Sequence, residues 1–481
     1  MKVTLAPAFI LALAASLLVP TGLCSTSFRS VPVVGAIVYS PVNAIAINAL
    51  PNQSIGVNRY TLGFQLDGPD IKTWRDRAAL RDLAENASFK LVRFFEHRLG
   101  KACTSWNAAT KTGSWNWAGI DSLLRRIFEI GAEPLIVLGF YSWSLNRLSS
   151  TPEGMLDNPV TGLPYPDQWG AYCAEWVKHI RQAGLPVRYY EIINEPHHYF
   201  GWGRYANDTR IGYYMELFNA AATAMRAEDQ NVKLGNDNSL FKKVFDYFVA
   251  HGKDLGFLSL HRYGLDSRTQ SDAEAIEAAE TKYLIDDASM YSPETASRLY
   301  KDSRGLDLPV ILTEGNLCDD YDPIDPRTHT MLGAVYTALS IRTFILKGIL
   351  HSVYFIFGSS ESAMGMVSTN TNLPRYAYYA QQMIGQNLAV GDELVETTTS
   401  SSDVSSLGWL HEDKLMVLLI CKVNGSRAVR LQGISTKMNY VKIDTTVSWQ
   451  NPRVQTGTIL PTDTLNLNGY AVALIQISES R

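Results

Sequence analysis

Between Asn58 and Gly385 the chain alternates short apolar runs with amphipathic helical stretches eight times, and this limits its fold more than any other feature. Strand then helix, repeated, is the pattern of parallel βαβ units whose helices cover the sheet. The predicted strands are Thr61–Leu66, Leu91–Phe95, Pro134–Gly139, Tyr189–Ile193, Val232–Gly235, Phe257–Leu260, Val310–Thr313 and Val353–Phe357. Between them Ile120, Leu123, Leu124, Ile127 and Phe128 recur at helical spacing and stop at Gly131. Trp169, Tyr172, Trp176, Val177 and Ile180 run to Gly184 in the same way, and Phe241, Val244, Phe245 and Phe248 run to Gly252. Such stripes face a sheet. Eight units over roughly 330 residues predict an α/β fold, a (β/α)8 TIM barrel with insertions. The alternative, an open doubly wound sheet, calls for a glycine-rich nucleotide fingerprint after its first strand. None is present, and no cofactor is expected.

Beyond Leu388 the period changes. A Thr/Ser run, Thr397 to Ser402, gives way to short alternating strands at Ser406–Leu410, Leu415–Lys422, Ala428–Gln432, Tyr440–Ile443 and Ala471–Ile477. Turn signals at Glu412-Asp413 and Asn424-Gly425 separate them, which predicts a β-sandwich of about 90 residues. The chain thus divides into a leading signal segment (1–24), an N-terminal segment able to add a strand to the sandwich (25–57), the barrel (58–387) and the β-sandwich (388–481). Lys2 precedes an uncharged Leu5–Val19 stretch, and cleavage is expected near Cys24–Ser25, so the protein is expected to be secreted. Pro20 and the early position argue against an uncleaved anchor, and no later stretch is long enough to span a bilayer.

Hydrophobic residues make up 46% and charged residues 19%, which indicates a packed globular chain. A net charge of −4 without basic runs argues against a nucleic-acid partner. After export, Cys103, Cys173, Cys318 and Cys421 could pair in any of three ways, with buried free thiols as the alternative. Sequons at Asn52, Asn86, Asn207 and Asn424 make glycosylation possible and no more. Oligomeric state is not legible.

In a TIM barrel the functional side chains come from the C-terminal ends of the strands. Strand four ends in Asn194-Glu195-Pro196 and strand seven in Glu314-Gly315-Asn316, so a carboxylate caps each of two strands across the barrel mouth. A single strand-end Glu reads as a salt-bridged loop residue. Two in these places have the layout that glycosidic-bond cleavage requires: one carboxylic acid protonates the leaving oxygen while a carboxylate about 5–5.5 Å away attacks the anomeric carbon.

An Asn-Glu-Pro after strand four with a Glu after strand seven resembles clan A of the glycoside hydrolases, over essentially the whole barrel. Arg93 stands where that clan keeps an Arg on strand two, and His261-Arg262-Tyr263 resembles its His-x-Tyr after strand six. The stretch Tyr213 to Gly235, the run Ile311 to Asn316 and the segment Leu373 to Ala380 are most similar to family 39, which includes β-xylosidases and α-L-iduronidases. Two departures stand out. Phe355 or Phe357 replaces the Trp usual after strand eight, and Gly315 follows the second Glu where the family often has an aromatic residue.

The resemblance implies a retaining glycosidase acting on an oligosaccharide or polysaccharide, with Glu195 as acid/base and Glu314 as nucleophile. Arg93 and the Tyr263 hydroxyl are expected to hold the Glu314 carboxyl low, and Asn194 to donate to the sugar 2-hydroxyl. Glu195 must start protonated, which the charge of Glu314 and desolvation favour. His261 and Phe355 are expected to bind substrate, and Trp143 and Trp202 to serve as sugar platforms. Glu191, four residues before Glu195, reads as a buried, paired structural charge. Asp319, Asp320 and Asp322 lack an EF-hand pattern and read as a solvated loop, and no metal is expected. The alternatives are a transglycosidase using the same intermediate and a non-catalytic carbohydrate-binding barrel.

Overall fold

The computed structural model describes residues 44–68, 70–142, 147–196, 208–236, 240–282, 284–320, 324–359, 364–448 and 452–478. The expected signal segment, Trp143 and Trp202 lie outside the described residues.

Eight parallel strands form the first sheet: one (Thr61–Leu66), two (Leu91–Phe95), three (Glu133–Ser142), four (Tyr189–Asn194), five (Lys233–Gly235), six (Leu258–Leu265), seven (Val310–Cys318) and eight (His351–Tyr354). Ladders join one through five in order, and six to seven, seven to eight and eight to one. At the seam between five and six, the Gly256 N–H donates to the Leu234 carbonyl at 2.8 Å. Glycine permits that approach. A Cβ on Gly235 would lie 2.3 Å from the Phe257 ring, and one on Gly256 would lie 2.6 Å from the Lys233 backbone. The sheet therefore curls into the predicted barrel.

Both faces of each strand are buried, which is why the strands read as near-continuous apolar runs. Leu91, Leu135, Tyr189, Phe257, Ile311 and Val353 fill the inside, while Val92, Ile136, Tyr190, Leu258 and Leu312 join the outer core with the helices. Above the inner apolar layer sits a polar one, fully buried, of Gln65, Arg93, Glu191, Ser259 and Thr313.

The helix Ala118–Glu129 buries Ile120, Leu123, Leu124 and Ile127, and Gly131 after it is left-handed at φ 71°. Pro166–Gln182 buries Trp169, Tyr172, Trp176, Val177 and Ile180, and Gly184 repeats the left-handed stop at φ 69°. Lys242–His251 buries Val244, Phe245 and Phe248, but Gly252 departs from expectation with a φ of −76°. It is needed for packing instead, because a Cβ there would lie 2.5 Å from the Phe248 ring. Strand eight ends at Tyr354, short of Phe357. An unpredicted hairpin, Cys103–Asn107 with Thr112–Trp115, follows strand two.

Nine strands form the second sheet, ordered Gln455–Ile459, Met438–Asp444, Ala471–Ser478, Lys414–Cys421, Val404–His411, Glu393–Thr399, Ile45–Val57, Arg427–Gln432 and Leu465–Leu467. Met438 and Ile459 from one end share a core with Ile45, Val429 and Leu465 from the other, so the sheet folds over itself as a β-sandwich. Ile45–Val57 lies within it, antiparallel to Glu393–Thr399 and parallel to Arg427–Gln432. The helix Met331–Leu346 is buried on nearly every side, as a helix between barrel and sandwich must be.

Cys103, Cys173, Cys318 and Cys421 are all buried free thiols, so pairing gives way to the alternative among the described residues. No helix among the described residues is long and apolar enough to cross a membrane.

Candidate active site

Two local irregularities aim the carboxylates. Along strand four Glu191 points into the barrel, and strict alternation would send Asn194 outward. Instead Ile192 and Ile193 both join the outer core, and Ile193 holds a left-handed φ of 63°. Such a φ is costly for a β-branched residue and tends to persist where a site requires it. Glu195 follows at φ 42°, and Asn194 and Glu195 both line the barrel mouth. On strand seven, Leu260 faces Leu312 while the next residue, His261, faces Glu314, so Thr313 is an extra residue. This bulge turns Thr313 and Glu314 both inward. Gly315 then explains the departure from the family pattern: a Cβ there would lie 2.6 Å from the Arg262 carbonyl oxygen, leaving no room for a side chain.

Arg93 organises the centre. Its Nε donates to Glu191 Oε2 at 2.8 Å; Nη1 donates to Gln65 Oε1 at 2.5 Å and Glu314 Oε2 at 2.8 Å. Its Nη2 donates to Asn194 Oδ1 at 2.8 Å and lies 3.4 Å from His261 Nε2. Five N–H groups thus meet five partners, which makes full burial of the cation tolerable. Because Asn194 turns its oxygen to Arg93, its amide nitrogen remains as the donor. Arg93 has no acceptor, so His261 Nε2 must accept and its proton sits on Nδ1, 2.9 Å from Glu195 Oε1. The Tyr263 hydroxyl donates to Glu314 Oε1 at 2.6 Å.

Glu191 is paired, as expected, and does more than fill a hole. Ser259 donates to its Oε1 at 2.5 Å, and Thr313 stands 2.6 Å behind Ser259, so a hydrogen-bond chain fixes the face of Glu191 away from Arg93. Arg93 is therefore divided between two carboxylates.

This division has an electrostatic consequence. The Glu314 carboxyl stands raised to about 7, with burial the largest influence and the neighbouring Glu195 acting in the same direction. Arg93 and the Tyr263 hydroxyl pull it down, as would a protonated His261, but the Arg93 donor facing Nε2 favours the neutral ring. The expected downward contacts exist, yet the net direction is upward. One guanidinium cannot neutralise both Glu191 and Glu314.

Glu195, His261 and Glu314 offer donor atoms within 4.8 Å of one another, the spacing of a metal site, and among the described residues no other such group occurs. The two carboxylates therefore approach to that distance from opposite sides of the mouth. They open onto a cavity of about 400 Å³ lined by Asp67, Phe95, Arg98, Phe140, Asn194, Glu195, Tyr263, Glu314, Asp319 and Phe355. Phe355 is buried with its ring edge-on to Tyr263, 6.2 Å between centroids, and the Asn316 amide donates to its carbonyl. The expected roles of Trp143 and Trp202 lie outside the described residues. Asp67, Phe95, Arg98, Phe140 and Asn316 were not singled out from sequence, although each follows or ends a barrel strand, where such residues belong.

The profile of "Glycosyl hydrolases family 39" matches residues 45–387. A β-xylosidase of Caldicellulosiruptor saccharolyticus is 24% identical over 263 residues, 53% of this chain and 50% of that protein, so the chain spans about half the length of this curated relative. Among solved structures, a monomeric β-xylosidase from Caulobacter crescentus CB15 superimposes with a TM-score of 0.62 at 15% identity, covering 91% of this chain and all of that one. An α-L-arabinofuranosidase from Thermotoga maritima gives 0.62 at 13% identity, with 91% and 100% covered. These likenesses show the fold. The profile match, spanning both strand-end glutamates and the arginine between them, makes the chain a member of glycosyl hydrolase family 39.

Proposed function

We propose that the chain is a retaining glycoside hydrolase, acting on a β-linked sugar through a covalent intermediate on Glu314. The observation that carries this reading is the approach of the Glu195 and Glu314 carboxylates to within 4.8 Å at the mouth of the barrel. That separation leaves no room for a water between sugar and carboxylate, so the second group must attack directly. Glu195 protonates the glycosidic oxygen, Glu314 bonds to the anomeric carbon, and the bond to the leaving group breaks. With the charge of Glu314 consumed, Glu195 takes a proton from water, the water oxygen bonds to the anomeric carbon and the bond to Glu314 breaks, which frees the carboxylate and releases the sugar with its original configuration. The Asn194 amide, oriented by Arg93, donates to the 2-hydroxyl. β-Xylosidases among the relatives support a β-linked pentoside as first substrate. Export belongs to the same reading, on the strength of the Leu5–Val19 stretch.

Proton NMR of the first-formed product, before mutarotation, tests the proposal. Retained configuration is expected, and chelator should leave the rate unchanged. Initial appearance of the opposite anomer would remove the nucleophile and the covalent intermediate together, and loss of activity with chelator would reassign the Glu195, His261 and Glu314 trio to a metal.

The divided arginine gives a pH signature. Glu314 attacks only when ionised, so kcat/KM should fall as pH drops through about 7. In Glu191→Gln the Arg93 charge falls on Glu314 alone, which favours the ionised form. The acid limb of kcat/KM should then move down by about one pH unit. An unmoved or raised limb in a folded variant would show that Glu191 does not compete for Arg93.

A further inference from the structure

Opposite the two glutamates, the cavity has a second charged pair that the mechanism does not use. Asp67 follows strand one, and Arg98 lies in the short 3-10 turn Glu96–Leu99 after strand two. Arg98 Nε stands 2.8 Å from Asp67 Oδ1, and that same oxygen accepts the Gly68 N–H at 2.7 Å. The turn is anchored from below, where the Glu96 carboxylate accepts the Gly139 N–H at 3.0 Å. The guanidinium rests over the rings of Phe95 and Phe140, at 5.9 and 5.3 Å. Arg98 is thus held by Asp67 and two aromatic rings, although its Nε–H makes no aligned hydrogen bond and charge alone joins it to Asp67.

What is left over is informative. Asp67 Oδ2 and the terminal nitrogens of Arg98 have no hydrogen-bond partner among the described residues, and the side chains are 16% and 34% exposed. A strong acceptor and a strong donor therefore stand side by side on the wall of the cavity that holds Glu195 and Glu314. Water satisfies such a pair, and so does a vicinal diol, in which one hydroxyl donates to the carboxylate while its neighbour accepts from the guanidinium. A lone carboxylate on a ligand would meet Asp67 as a like charge, so the pair suits a neutral sugar.

We propose that Asp67 and Arg98 form a two-point clamp for adjacent hydroxyls of the sugar ring held in the cavity. The inference rests on Glu195 and Glu314 being the reacting pair. With the anomeric carbon between them and the 2-hydroxyl at Asn194, the opposite ring edge carries the 3- and 4-hydroxyls toward strands one and two. Those are the hydroxyls that the clamp binds.

The test uses the full chain with 4-nitrophenyl β-xyloside and its 3-deoxy and 4-deoxy counterparts, comparing wild type with Asp67→Asn and Arg98→Gln. Each variant should lose about 10- to 100-fold in kcat/KM on the parent glycoside, the range for a charge-assisted hydrogen bond to a substrate hydroxyl. On one of the two deoxy substrates, the one lacking the hydroxyl that the residue binds, the loss should shrink to about threefold or less. Equal losses on all three substrates would make the pair structural and overturn the clamp, as would no loss on any. Trapping with a 2-fluoro xyloside separates the two ideas. Label on Glu314 in wild type with equal losses in the variants sinks the clamp alone. Label elsewhere, with substrate-selective losses intact, sinks the reacting pair alone.

Discussion

Replacing Glu314 by Ala should abolish turnover, with a loss on the order of 10⁵-fold, while the protein stays folded. The size follows from what the residue does. The other carboxylates lining the cavity, Asp67 and Asp319, lie outside the group that brings Glu195, His261 and Glu314 within 4.8 Å of one another, so the covalent step has no substitute nucleophile across the sugar from Glu195. Stability should suffer little or improve, because burial works against the charge that the variant removes. Arg93 keeps Glu191 as its counter-charge, so the substitution does not strand a buried cation. Mass spectrometry after a 2-fluoro glycoside should find the label on Glu314 in the wild type and on no residue in the variant. Label on Glu195 or Glu191 would overturn the assignment.

The parts of the fold that were legible in the sequence are those where burial dictates composition. Strands such as Leu91–Phe95 and Tyr189–Asn194 are covered on both faces and read as apolar runs, and the Ile120 to Phe128 stripe is one face of one helix. The strand-end rule then pointed to Asn194, Glu195 and Glu314, and the resemblance to clan A added His261 and Tyr263. Local irregularity hides from that reasoning. A period of two places Glu191 and Glu195 on one face, but the outward turn of Ile193 and the bulge at Thr313 decide which neighbours join them. Neither has a sequence signature, because each is imposed by the ladders around it. The Asp67–Arg98 pair was invisible for another reason: its members lie on different loops, and only the parallel pairing of strands one and two brings them together. The rise of the Glu314 carboxyl was missed because it depends mainly on how deeply the closed barrel buries the group, and only then on Arg93 being shared with Glu191, neither of which the sequence states.

Removal of Glu195 should discriminate between substrates where removal of Glu314 cannot. In Glu195→Ala the leaving oxygen departs without a proton, which matters only if it needs one. Glycosides with poor leaving groups should lose about 10²- to 10⁴-fold in kcat/KM, the usual contribution of a positioned general acid. With a 2,4-dinitrophenyl leaving group, which departs as a stable anion, kcat/KM should stay within about tenfold of wild type. The second step still lacks its base, so that substrate should show a burst of phenolate followed by slow turnover as the glycosyl-enzyme on Glu314 accumulates. Azide should restore turnover by a direct route. It needs no deprotonation, and in the space left beside His261 Nδ1, 2.9 Å from the lost carboxylate oxygen, it can attack the face of the sugar that water used. The product is a glycosyl azide of retained configuration. His261 gives the internal check. Its Nδ1–H orients Glu195, so His261→Ala should raise the same leaving-group dependence in weaker form without azide rescue, because the carboxylate still occupies the space. Equal loss on both classes of glycoside in Glu195→Ala, with no azide product, would move the acid to another residue.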